Sequence, residues 1–244
     1  MDIQPFTAKE CASCTIRHNT LCAKCGDDEL EILSAMKFFR SYEAGQNVVW
    51  AGDRMDFVGS IASGVAAMSQ TMEDGRTQMV GLLLENDFLG HPGRERAPYD
   101  VVATTDLVMC CFRKKPFERL ITETPHIAQR LLEITLNELD AAREWMLLLG
   151  RKTAREKIAS LIAIIARRNR KAVENMLNGP IVFDLPLTRV AMADYLGLTL
   201  ETVSRQISKL RKEGIIQIEG KRRITIPDYH RLVVESGDDV TGIC

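Results

Sequence analysis

The 244-residue chain lacks any apolar run that approaches the roughly 20 residues needed to span a bilayer, which excludes a membrane-spanning helix. Its N-terminus carries Asp2 and polar neighbours where a secretory signal would have basic and apolar regions. A cytoplasmic protein with reduced thiols is the expectation. Strong charge of either sign is also missing: 32 Lys and Arg stand against 33 Asp and Glu, a formal net charge of −1. Any affinity for nucleic acid must therefore come from a local patch. No glycine-rich phosphate loop is present, and the four histidines (His18, His91, His126, His230) are scattered without catalytic spacing. Turnover chemistry has no candidate residues, so an enzyme is not expected. Internal repeats are absent.

Cysteine, by contrast, is plentiful at one end. Four of the seven fall in the first 29 residues as Cys11-x2-Cys14-x7-Cys22-x2-Cys25, followed by the Cys110-Cys111 pair and Cys244. That arm has few large apolar side chains among which thiols could be buried, and thiolates are soft ligands for zinc or iron–sulfur clusters. By spacing alone, zinc would take all four N-terminal cysteines in a closed tetrahedral site. An iron–sulfur cluster would take three of them and one from elsewhere. His18 lies between Cys14 and Cys22, but the thiols around it suffice.

Four zones follow by pattern, and together they predict an α+β chain. After the arm (residues 1–29) and a short helix over Asp27–Met36, the segment to about residue 112 reads as short strands punctuated by Gly turns. Asp74-Gly75 marks a tight hairpin. Many short strands with such turns predict a small β-roll of jelly-roll type over residues 30–122. Residues 123–151 have no Pro after Pro125 and no Gly before Gly150. Leu132, Thr135, Leu139, Ala142, Met146 and Leu149 recur there at steps of 3, 4, 3, 4 and 3, a coiled-coil seam that predicts a dimerisation helix. Leu131, Ile134 and Leu136 lie on the other side and are expected to pack on the roll.

Residues 152–234 read as a winged helix-turn-helix, with a disordered tail over 235–244. A helix over Ala154–Arg168 comes first. Ala193 is small where two helices approach, and Gly197 sits at a turn that favours φ > 0. Val203, Ile207 and Leu210 give the second helix an inward face. Thr199 can cap it, and Glu201 in the first turn suits the helix dipole. Glu201, Ser204 and Arg205, at i, i+3 and i+4, project together as a base-reading set: Glu accepts from cytosine and Arg forks onto guanine. Strands over 214–218 and Arg223–Ile226 flank a basic turn with Lys221 and Arg222. From Glu201 to Thr225, seven Lys and Arg face three Glu.

The run Leu198-Thr199-Leu200-Glu201-Thr202-Val203-Ser204-Arg205 resembles the recognition signature of the CRP/FNR family of bacterial transcription regulators, in its oxygen-responsive FNR branch. Cys11-x2-Cys14, then Leu21-Cys22, a cysteine late in the β-roll and Met146-Leu147-Leu148-Leu149 are similar to that branch as well. The resemblance runs nearly end to end. It implies a cyclic-nucleotide-binding-like roll and a [4Fe-4S] cluster held by Cys11, Cys14, Cys22 and Cys110, with Cys25 and Cys111 as the alternatives. Neighbours on a strand point to opposite faces, and Cys110 shares its parity with Val108 and Phe112. The resemblance further implies a homodimer on a palindromic, FNR-type double-stranded DNA site with TTGAT-like half-sites, and RNA polymerase as a partner. Thr199, Glu201, Ser204, Arg205, Lys221 and Arg222 are the DNA-binding candidates. Cyclic nucleotide is not expected: His91 replaces the glutamate of the family's Gly-Glu pair, and Arg96-Ala97-Pro98 lacks the hydroxyl. A zinc-stabilised regulator of another ligand and an iron–sulfur electron-transfer protein are the competing readings.

Overall fold

A computed structural model describes Cys11, Cys14 and residues 16–168, 179–220 and 222–238. Lys221, Cys244 and most of the expected tail lie outside the described residues. The chain divides into two compact units, Met1–Asp140 and Ala141–Cys244, so the division falls within the long helix.

In the first unit, two short 3-10 turns (Arg17–Asn19 and Leu21–Lys24) lead into α1 (Asp27–Met36). The Gly26 N–H donates to the Glu29 carboxylate at 2.8 Å, and three acidic residues in the first turn favour the positive end of the helix dipole. Eight strands follow: β1 (Lys37–Tyr42), β2 (Asn47–Val49), β3 (Phe57–Ser63), β4 (Ala66–Thr71), β5 (Thr77–Leu83), β6 (Phe88–Leu89), β7 (Asp100–Ala103) and β8 (Leu107–Arg113). They form two antiparallel sheets, ordered β1-β8-β3-β6 and β2-β7-β4-β5. The sheets share one core, in which Phe57, Ile61, Leu107, Met109 and Cys111 of the first meet Ala66, Leu83 and Val101 of the second. Burying each large apolar side chain contributes about 1.5–3 kcal/mol. The β4–β5 hairpin turns at Asp74-Gly75, and Gly75 has φ +86°.

A second apolar cluster lies on the outside of the first sheet. There Cys11, Leu21, Cys25, Leu30 and Leu33 pack with Val58, Phe88, Cys110 and Phe112, roofed by Phe117 and Leu120 of α2 (Lys114–Glu123) and Ile127 of α3 (Pro125–Arg151). The arm is thus held by the roll and the start of the long helix together. Leu131 and Ile134 join this cluster. Leu136 does not: it is half exposed, because it falls on the outer stripe of α3 with Leu132 and Leu139.

The second unit contains α4 (Ala154–Arg168), β9 (Ile181–Asp184), α5 (Arg189–Leu196), α6 (Leu200–Lys212), β10 (Gln217–Glu219), β11 (Arg223–Ile226) and α7 (Tyr229–Ser236). Its three-stranded sheet runs β10-β11-β9. Three features differ from the sequence expectation. β9 adds a strand after the Gly-Pro loop, paired to β11. The wing strand begins at Gln217 rather than Gly214, because Gly214 (φ +71°) ends α6 and the Ile215 N–H returns to the Leu210 carbonyl at 3.0 Å. The last helix passes Val234 to Ser236, so residues 235–238 are not tail: Glu235 pairs with Arg155, Ser236 is buried and Asp238 pairs with Lys152.

Candidate metal centre and nucleic-acid interface

Strict alternation along β8 sends its two cysteines to opposite faces. Cys110 stands opposite Phe39 of β1 and Ser60 of β3, while Cys111 stands opposite Phe38 and Gly59. Cys111 lies in the closed core of the roll. Cys110 lies under the arm, where one cavity is lined by Cys11, Cys14, Cys22 and Cys110 together with Ile16, Thr20, Leu21, Lys37, Phe39, Ser60 and Phe112. Gly59 makes this strand pairing possible: a Cβ there would lie 2.6 Å from the Cys110 carbonyl oxygen.

Cys25 is buried beside the cavity without lining it, its thiol directed at the Leu21 carbonyl at 4.0 Å. Burial and neighbouring thiols push Cys22 up to about 12 and raise Cys110 well above the ordinary thiol value. Burial raises Cys25 to about 11, assisted by Glu29 and opposed by Arg17. Cys111 rises to about 12 by burial, opposed by the Arg40 charge. Among the described residues that line the cavity the soft metal donors are thiols, with no carboxylate or imidazole, and His18 is exposed outside it. Such a donor set suits zinc or an iron–sulfur cluster. Among the described residues, no three Cys, His, Asp or Glu side chains are drawn together closely enough for a single metal ion.

Among the described residues, two polar ties bind the arm region to α3. Arg130 Nε donates to the Thr20 carbonyl at 3.5 Å, and His126 Nε2 lies 2.9 Å from the Glu29 carboxylate. Hydrogen bonding from His126 and the Gly26 N–H holds that carboxyl below its ordinary range. These ties, and the Lys37, Thr20 and Ser60 walls, had no sequence signal, because folding brings them in from distant segments. At the two positions where the sequence departs from the nucleotide-binding pattern, Arg96 Nη1 donates to the Gly52 carbonyl at 2.6 Å, and His91 Nδ1 lies 2.8 Å from the Pro92 carbonyl.

In the second unit, Thr188 caps α5 and Thr199 caps α6, each hydroxyl accepting a backbone N–H three residues on. Gly197 turns between the helices at φ +61°. Val203, Ile207 and Leu210 are buried, which turns Glu201 and Arg205 outward with Ser204 half exposed between them. Arg155 pairs with Glu213 and Glu235 at 2.5 Å each, tying α4 to the end of α6 and to α7. It holds the Glu213 carboxyl below its ordinary range. Arg222 is exposed at the wing turn.

Residues 39–124 match the cyclic nucleotide-binding domain family, and residues 156–234 match the Crp-like helix-turn-helix domain family. The transcriptional activator protein FnrL of Cereibacter sphaeroides is 62% identical over 238 residues, covering 98% of this chain and 96% of that protein. The chain belongs to the CRP/FNR family of transcription regulators. The fumarate and nitrate reduction regulatory protein of Salmonella typhi is 27% identical over 233 residues, covering 94% of this chain and 91% of that protein. The solved structure of FixK2 from Bradyrhizobium japonicum matches with a TM-score of 0.74 at 28% identity, covering 84% of this chain and 99% of that one. The CRP/FNR regulator is thus a DNA-binding protein and not an enzyme. Among the described residues, no helix is long and apolar enough to cross a membrane.

Proposed function

We propose that this regulator is an oxygen-responsive activator that holds a [4Fe-4S] cluster at Cys11, Cys14, Cys22 and Cys110, and that this site controls dimerisation and DNA binding. The observation that carries the reading is the convergence of three arm cysteines and one β8 cysteine on one cavity. Zinc would hold the same thiolates at about 2.3 Å from one ion; the likeness of Cys11-x2-Cys14, Leu21-Cys22 and a cysteine late in the roll to the FNR-branch pattern favours the cluster. When bound, the cluster supplies iron–thiolate chemistry that oxygen can attack.

The chain's own residues link that site to the rest of the molecule. Leu131 and Ile134 of α3 pack on the thiol cluster, and Arg130 and His126 anchor the same helix to the arm and to α1. The outer stripe of α3 carries Leu132 (57% exposed), Leu139 and Met146 (65% exposed), an apolar seam for a second copy of the chain. A two-fold dimer places two recognition helices on a palindrome, with Arg205 on guanine, Glu201 on its cytosine and Ser204 on a neighbouring thymine. RNA polymerase is the partner an activator needs at its promoters. Cyclic nucleotide is not part of the reading, because His91 stands where the family's glutamate would and Arg96-Ala97-Pro98 offers no hydroxyl.

Purification without air, with iron, sulfide and zinc analysis and a spectrum before and after air, tests the reading. A brown protein with matched iron and sulfide that bleaches in air is expected. A colourless zinc protein would overturn it. A stable cluster with no effect on DNA binding would point to electron transfer instead.

A further inference from the structure

Lys37 opens β1 and forms part of the wall of the thiol cavity. Its ammonium donates to Cys11 Sγ at 3.6 Å and to Ser34 Oγ of α1 at 3.0 Å. Ser34 therefore helps to aim the ammonium at the sulfur. Among the described residues that line the cavity, Lys37 alone carries a positive charge. Four thiolates on a [4Fe-4S]2+ core make a dianion, and the other walls include Ile16, Leu21 and Phe112, which solvate an anion poorly. Iron–sulfur potentials respond to net charge, hydrogen bonds to sulfur and exposure, and outer-shell donors orient the ligands they touch.

We infer that Lys37 is a positioning residue for the cluster site: it orients Cys11, withdraws charge from its sulfur and makes the site easier to reduce and slower to react with oxygen. This rests on the cluster reading above. The contact follows from the fold, since Lys37 and Cys11 are 26 residues apart.

The test is redox titration of the one-electron couple of the full-length, anaerobically prepared protein, with the lifetime of its absorbance in air. Lys37→Gln should lower the equilibrium constant for reduction by three- to tenfold, tenfold corresponding to about 59 mV, and should shorten the lifetime. Lys37→Arg should stay within twofold of the parent, and Ser34→Ala, which frees the ammonium, should fall between. If Lys37→Gln fails to load while Lys37→Arg loads normally, the charge requirement is supported. An unchanged potential in loaded Lys37→Gln, or equal loss of loading in both variants, overturns the inference and leaves the cluster reading intact. Absence of iron and sulfide from the parent protein overturns both.

Discussion

Arg205 and Glu201 lie one helical turn apart on the exposed side of α6, where a guanidinium and a carboxylate can address the two bases of one G·C pair. Arg205→Ala should cost about 1–3 kcal/mol on the cognate half-site and relax selectivity at that base pair. Binding isotherms on a panel of half-site variants would check this, and an equal loss on every variant would contradict it. Arg222 at the wing turn addresses phosphate in this account, so Arg222→Ala should weaken all sequences alike and flatten the salt dependence. At the thiol site, Ser at Cys11, Cys14, Cys22 or Cys110 should abolish the cluster absorbance, and Ser at Cys25, Cys111 or Cys244 should leave it. A normal cluster in Cys110→Ser, lost in Cys111→Ser, would reverse the strand-face argument. The β8 faces were legible because side-chain alternation in a strand is strict. Lys37 was not, since nothing near it in sequence marks a residue that the fold carries to a distant thiol.

At the scale of elements, α3 decides most. Its inner side joins the thiol cluster through Leu131 and Ile134, and its outer stripe is exposed. Thr135 sits in that stripe with its hydroxyl turned back to the Leu131 carbonyl at 2.9 Å, and Ala142 adds little area. At about 25 cal/mol per Å², these two positions leave the seam several kcal/mol weaker than an all-leucine seam. A weak seam is switchable, because moving a two-state equilibrium from 1:99 to 99:1 takes only about 5.5 kcal/mol. Ala142→Leu should tighten the dimer and retain part of the DNA binding in air. Sedimentation would read this, and an equally tight parent dimer with and without the cluster would exclude dissociation as the switch. Long helices and capped helix pairs were legible from period and capping residues. β9 was not, because four residues after a Gly-Pro loop become a strand only by pairing with β11. The wing strand starts later than its pattern suggests: Ile215 and Ile216 read as alternation, yet both are buried behind the Gly214 cap.

Across the whole molecule, the thiol cavity and the helix-turn-helix belong to different compact units, and α3 is the element present in both. In the first unit Arg130 and His126 fasten α3 to the arm and α1; in the second Trp145 of the same helix stacks on Tyr195 of α5 with ring centroids 3.7 Å apart. A change at the arm thus has a covalent route to the helix-turn-helix. The measurement that tests this account most directly is an oxygen titration of one anaerobic sample holding the protein and a fluorescent FNR-type palindrome, with cluster absorbance and DNA anisotropy recorded together. The account predicts that anisotropy falls in step with absorbance, and that Ala142→Leu makes the anisotropy lag. Full DNA binding after complete loss of the cluster absorbance would contradict it.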